Sequence, residues 1–359
     1  MNKFRQYQIM AILAAILFGV SAPLSKILLG EIGPIPLAAF LYIGSGAGLL
    51  VYRKIERLTG SQREGEAPIV KKDTPWLIGA ILSGGVIAPI LLMSSLRITP
   101  ASTASLLLNF ESVATALIAA LFFSEYIGKR VWIAIVLITS ASILLSWDFT
   151  SQWGFSIGAV GIIFACFCWG IDNNFTRNIS SKNPVSIVII KGFSAGFFSL
   201  FLALLLKNPI PSLKIILLAM LLGFFSYGFS LVLFILAMRN LGSARTSAFF
   251  GTAPFIGAIL AFILFKEIPN IMFIISLPIM MAGTIFLLRE EHSHRHVHEY
   301  IAHEHRHSHK DGHHNHSHIP QEVPKGVYHS HFHIHESMEH EHSHVPDIHH
   351  RHSHSSDKK

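Results

Sequence analysis

Histidine is confined to one end of this chain. All 23 histidines lie between His292 and His354, and the first 291 residues hold none. They form clusters, most with one residue between neighbours. These are His292, His294, His296 and His298; His303, His305, His307 and His309; His313, His314, His316 and His318; His329, His331, His333 and His335; His340, His342 and His344; and His349, His350, His352 and His354. Imidazole suits Zn²⁺, Cu²⁺, Ni²⁺ and Co²⁺. Four ligands can come from one cluster or be shared, so the pattern predicts multivalent, weakly selective binding of divalent metal ions. Glu, Asp, Ser and Arg fill the gaps, aliphatics are few and no helical period runs through the segment. That composition predicts disorder in the absence of a ligand.

The remaining chemistry is sparse. Only 14% of the chain is charged and 51% is hydrophobic, against about 25% charged in an ordinary soluble domain. Three charged residues fall inside apolar runs: Glu111, Asp172 and Lys191. At a bilayer centre each costs about 3 kcal/mol or more and normally faces an interior cavity. Glu111 lies about 15 Å into its run at the helical rise, which is close to the midplane. It is a candidate to bind a cationic substrate group or to carry a coupling proton. The alternative is a neutral, hydrogen-bonded side chain that braces the bundle with Asn109. Asp172 and Lys191 fall within about two turns of one membrane face on consecutive helices. They are candidates for an ion pair, structural or gating, or for direct substrate contact.

Cys168 and Asp172 share a helix face at i and i+4 and could join Glu111 in a metal passage, although cysteines in apolar helices usually serve packing. Cys166 and Cys168 imply no disulfide framework. The body has no HExxH, CxxC, P-loop, Rossmann fingerprint or nucleophile–base set. An enzyme and a required cofactor are therefore not expected.

Ten apolar segments, each near the ~20 residues needed to span a bilayer, must position these groups. Five lie within residues 8–147 and five within 154–288, leaving 289–359 as the tail. The body carries a net charge of +10 and the tail −3. The basic residues sit between apolar runs, so they report membrane topology and not a nucleic-acid partner. Fourteen lie on the side of the N-terminus and five on the other. That bias predicts a multi-pass inner-membrane protein with both termini in the cytoplasm. The first segment is too long for a signal peptide and reads as a retained helix.

The halves repeat. Residues 97–125 align without a gap on 239–267 at an offset of 142: Arg97 meets Arg239, Ser105 meets Ser247, Ala116 meets Ala258, Phe123 meets Phe265 and Glu125 meets Glu267. Phe18-Gly19 and Lys26 match Trp169-Gly170 and Arg177. Five spans per half make the second half enter the membrane in the opposite sense, as in secondary transporters whose substrate site lies at the repeat interface. Gly44/Gly48 and Gly192/Gly196 form small-xxx-small pairs that let helices approach closely.

These features resemble the drug/metabolite transporter superfamily, EamA family. The resemblance rests on the five-plus-five layout, on Phe18-Gly19 and Trp169-Gly170, and on the segments SLRITPASTASLLLNFESVATALIAALFFSE and AMRNLGSARTSAFFGTAPFIGAILAFILFKE. The family's proline in the fourth helix of a repeat is Pro254 in the second half, and Ser112 stands in its place in the first. The resemblance covers residues 8–288 and excludes the tail. It implies an inner-membrane permease that exports small metabolites such as amino acids or amines, and it makes Trp169 a candidate cavity aromatic. The substrate-binding set expected is Glu111, Trp169, Asp172, Lys191 and Asn109. The combined expectation is an all-α membrane protein of ten helices in two inverted repeats, a secondary transporter of a small polar or cationic metabolite, with a disordered cytosolic tail that binds Zn, Ni, Co or Cu. Histidine-rich segments are also similar to those of known zinc and nickel/cobalt transporters, so divalent-metal efflux is one alternative. A membrane-anchored metal sensor without transport is the other.

Overall fold

The computed structural model describes residues 3–58, 67–123, 127–148, 155–179, 182–241, 246 and 249–288, and in the tail 292–298, 301–307, 329–335 and 338–344. The helices, in order, are α1 (Lys3–Gly19), α2 (Ser21–Leu28), α3 (Pro34–Leu58), α4 (Thr74–Ala80), α5 (Ala88–Ile98), α6 (Ala101–Leu107), α7 (Phe110–Phe123) and α8 (Lys129–Ser146). The second half adds α9 (Ile157–Asn178), α10 (Pro184–Leu205), α11 (Leu213–Gly223), α12 (Ser230–Leu241), α13 (Ala253–Phe265) and α14 (Ile271–Leu288). A π-helical segment, Ile81–Ile87, joins α4 to α5, and a second, Phe224–Phe229, joins α11 to α12.

Among the described residues, eight helices or continuous helix runs are long and apolar enough to cross a membrane, and α13 and α14 are shorter apolar helices. A helix satisfies its backbone polar groups internally, which hydrocarbon requires. Large apolar side chains such as Phe122, Phe201 and Ile263 are left exposed on the outside of the bundle. Where the sequence predicts one unbroken ninth segment over residues 246–265, the chain turns at Gly251 and Thr252 before α13 begins.

Small residues set the packing. α3 lies against both α10 and α11. A Cβ at Gly192 would stand 2.7 Å from the Gly46 amide nitrogen, and one at Gly196 would stand 2.7 Å from that of Ile43. Only glycine permits that approach. Two other helices are interrupted: α1 gives way to α2 at Val20, and α6 to α7 at Leu108 and Asn109. The turn at Asn109 and the turn at Gly251 are 142 residues apart. The same offset lays π-helical residues 82–87 on 224–229, so four irregularities coincide with the sequence repeat.

Four segments of the tail are described. Strand β1 (His292–His298) pairs antiparallel with β4 (Met338–His344), and β2 (Ile301–His307) with β3 (His329–His335). Alternation of histidine with other residues is a period of two, which is the strand period.

Candidate functional site

The centre of the bundle is built around a buried ion pair. Ser156 Oγ caps α9 by accepting from the Ala159 amide, and Asn183 Oδ1 caps α10 by accepting from the Ser186 amide at 2.9 Å. Pro184 occupies the first turn of α10, where its missing N–H costs nothing. Both helices pack against the π-helical segment Ile81–Ile87. Lys191 Nζ then lies 2.6 Å from Asp172 Oδ1 and 2.8 Å from Oδ2. Thr176 donates to Asp172 Oδ1 at 2.8 Å and accepts from Lys191 at 3.4 Å. Both charged side chains are only 9% exposed. Burying an ion costs several kcal/mol, and a close, hydrogen-bonded partner offsets that cost.

The first π-helical segment forms the floor under this pair. A side chain at Gly84 would collide with the Asp172 carboxylate. The wider turn of a π-helix takes carbonyls off the regular ladder. Accordingly, the Gly84 carbonyl accepts from Tyr42 Oη at 2.6 Å and from Trp169 Nε1 at 3.0 Å. One backbone oxygen therefore holds the expected aromatic, Trp169, and a second ring that sequence reasoning missed. The rings of Tyr42 and Tyr227 are 5.6 Å apart, and Phe18 continues the row 6.1 Å from Tyr227.

Glu111 sits in the first turn of α7, directly after the break at Leu108 and Asn109. Its Oε1 accepts from Asn173 Nδ2 at 2.8 Å, and Asn173 also donates to Thr115 Oγ1 at 3.1 Å. Asn174 fixes this helix contact by donating to the Thr115 and Gly170 carbonyls at 3.1 and 2.8 Å. A Cβ at Gly170 would lie 2.9 Å from the Thr115 nitrogen, so the Trp169-Gly170 pair carries a close crossing of α9 over α7. Gly19, in the matching Phe18-Gly19 pair, meets the Ala253 carbonyl at the start of α13 in the same way, at 2.5 Å from an added Cβ. Glu111 is within electrostatic range of Asp172 and Lys191.

Asn109 does not join Glu111. It donates to the Leu106 carbonyl at 3.3 Å and accepts from Thr284 Oγ1 at 3.4 Å, which ties the break to α14. The partner of Glu111 is Asn173, and the polar run Asp172-Asn173-Asn174 inside an apolar helix was the available signal. Cys166 is buried and Cys168 half-buried. Among the described residues no group of three or more His, Cys, Asp and Glu side chains could hold a metal ion, the combination of Cys168, Asp172 and Glu111 included. Of the histidines, His309, His313, His314, His316, His318, His349, His350, His352 and His354 lie outside the described residues. The other fourteen stand on the four strands as backbone positions.

A second polar layer closes the opposite end of the spans. Lys26 donates to the Leu96 carbonyl in the last turn of α5 at 2.7 Å and to the carbonyl of Thr99, just past its end, at 2.5 Å. Glu267 accepts from the first amides of α6, Ala101 at 2.7 Å and Ser102 at 3.0 Å, and from Ser102 Oγ. Both contacts obey the helix dipole, cation at the carboxyl end and anion at the amino end.

A solved crystal structure matches with a TM-score of 0.55 at 17% identity, over 78% of this chain and 95% of that one, and shares the fold. A protein of Methanothermobacter thermautotrophicus, described as an uncharacterized transporter, is 31% identical over 289 residues, covering 77% of this chain and 84% of that one. The model of the EamA-like transporter family matches twice, at residues 6–147 and 156–289. With its apolar helices and buried charged centre, this chain is a multi-pass membrane transporter and not an enzyme, and it belongs to the EamA-like transporter family.

Proposed function

We propose that the protein is a secondary-active carrier of the inner membrane that exports a small polar or cationic metabolite. In this reading the chain crosses the bilayer ten times, as two five-helix halves of opposite sense with both termini in the cytoplasm. The repeat-related turns and π-helical segments support it. The observation that carries it is Glu111, a carboxylate at a helix break deep in a span whose hydrogen-bond partner is the Asn173 amide. Trp169, Asp172 and Lys191 complete the binding centre, and Asn109 secures the break beside Glu111. The coupling ion is a proton exchanged at Glu111. Purified full-length protein in proteoliposomes is expected to show substrate-dependent proton flux across a panel of small metabolites, and Glu111→Gln is expected to abolish it. Full transport with unchanged pH dependence in that variant would overturn the role given to Glu111.

The tail, in this reading, binds Zn, Ni, Co or Cu beside the carrier and regulates it. The backbone register supports the binding. His292 stands opposite His344, His294 opposite His342 and His296 opposite His340; on the second ribbon His303, His305 and His307 stand opposite His333, His331 and His329. Opposed positions on antiparallel strands are about 5 Å apart. A metal efflux path would need such ligands along the spans, and the body has no histidine. Deleting residues 290–359 is expected to remove metal binding and leave metabolite flux in place. Loss of a metal-tolerance phenotype on that deletion would favour metal efflux instead.

A further inference from the structure

At the end of the bundle that carries Lys26 and Glu267, the two halves meet along a seam of three helices. α13, from the second half, packs on α6, and α2 packs on both. Buried residues along these helices include Ser25 on α2, Ser105 on α6, and Gly257 and Ala261 on α13. A Cβ at Gly257 would stand 2.9 Å from Ser105 Oγ and 2.6 Å from the Gly19 carbonyl oxygen. The seam is therefore shut. At the centre, by contrast, Asn173 is exposed and Glu111 and Thr115 are half-buried.

Two hydroxyls on the seam are idle. Ser25 Oγ and Ser105 Oγ are buried with no hydrogen-bond partner among the described residues. Serines elsewhere in the spans avoid that state: Ser142 and Ser146 in α8 each donate to the carbonyl one turn back. A buried hydroxyl without a partner keeps its desolvation cost uncompensated, and an alanine would pack in the same place without it. The two hydroxyls have a use where the seam parts and they meet water or a polar solute.

One set of contacts ties the halves together across the end of the seam. Lys26 holds the turn between α5 and α6 from within the first half. Glu267, just past α13, reaches the same turn from the second half, through the Ala101 and Ser102 amides and the Ser102 hydroxyl. Parting the seam breaks the Glu267 bonds, whereas the Lys26 bonds can move with the turn. The sequence repeat sets the same residue types in the other half, since Lys26 matches Arg177 and Glu267 matches Glu125.

We propose that this seam is a gate, shut in this structure, with Glu267 as its latch. When it parts, Ser25 and Ser105 line a polar way from the centre to the end of the bundle at Lys26. The step rests on the carrier reading above, in which a site between two halves opens to each face in turn.

The test uses the purified full-length protein in detergent, with Cys166→Ala and Cys168→Ala removing the native thiols. Single cysteines are then added as Ser25→Cys, Ser105→Cys or, as a control, Ser142→Cys on α8, a buried position on a helix that packs on α14. The probe is a charged maleimide, and the rate of modification is read by mass. Ser25→Cys and Ser105→Cys should react about tenfold or more faster than Ser142→Cys, because local opening exposes them and not the control. Glu267→Ala should raise the two seam rates by about tenfold more, the effect of losing one or two net hydrogen bonds, and leave Ser142→Cys unchanged. Glu267→Gln, which keeps one acceptor oxygen and the side-chain length, should fall between. Seam rates no higher than the control would overturn the gate. Seam rates indifferent to Glu267, or a rise of equal size at Ser142→Cys, would overturn the latch. The labelling needs no substrate, so it separates the two readings. If the seam cysteines react as expected and proteoliposomes show no flux of any metabolite in the panel, the carrier reading fails and the opening of the seam stands. If flux is present and the seam cysteines stay as inert as the control, the gate alone fails.

Discussion

Glu267 caps a helix to which it is not joined: its carboxylate accepts from the amide and hydroxyl of Ser102 at the start of α6, 165 residues earlier in the chain. With Lys26 on the end of α5, it clasps the junction between α5 and α6 from both sides. Glu267→Ala should cost about 0.5–2 kcal/mol, the range for a lost cap. Amide exchange should accelerate at Ala101 and Ser102 and stay unchanged at Asp172. Equal exchange in the two proteins would mean the carboxylate holds nothing.

The Asp172–Lys191 pair should behave as a unit. Asp172→Asn or Lys191→Met alone leaves a buried charge without its counter-ion, a loss of about 3–5 kcal/mol. The double variant removes both charges and should recover much of that loss. Thermal unfolding in detergent gives the four corners of the cycle. Additive losses would show that the two side chains do not support each other.

Gly84→Ala should be costly for a reason remote in sequence. The added methyl enters the space of the Asp172 carboxylate, and overpacking of this kind costs about 1–3 kcal/mol. The same change at Gly30, where an added Cβ comes no nearer than 3.3 Å to a neighbour, should be mild. Paired melting curves decide it, and similar losses at both sites would count against the fit of Gly84 to Asp172.

Metal binding by the tail should fall on acidification. Imidazole must be neutral to ligate, and histidine titrates near about pH 6.5. Ni²⁺ or Zn²⁺ bound at about pH 8 should be released toward about pH 5.5. The sign follows from competition between proton and metal for the same lone pair. Isothermal titration at the two pH values, with the protein lacking residues 290–359 as reference, measures it. Metal retained by the truncated protein would move the site into the body.

Much of this arrangement was legible in the sequence, and the illegible part has a common cause. Glu111, Asp172 and Lys191 stood out because charge inside an apolar run is expensive, and the short link between α9 and α10 made a pair plausible. The Thr284 partner of Asn109 was not legible, because the break between α6 and α7 turns that side chain toward a helix 175 residues away in the chain. Asn173 was missed because the polar run Asp172-Asn173-Asn174 marks the residue but not its partner, which depends on how α9 crosses α7 at Gly170. Tyr42 was missed because its acceptor is a backbone oxygen of Gly84.

The two π-helical segments carry a lesson about length. A turn closed by i→i+5 bonds holds one residue more than the α-helix around it needs. Each half of the chain therefore contains a supernumerary residue at the same place, near Gly84 and near Ser226. Deleting one codon at either site would rotate the helix that follows by about 100° relative to the one before it, so the extra residue also sets which face of α5 or α12 turns inward. What the shortened chain would lose is the offset carbonyl that Tyr42 and Trp169 share. In the first half the insertion thus couples the phase of α5 to the one oxygen on which the two rings meet.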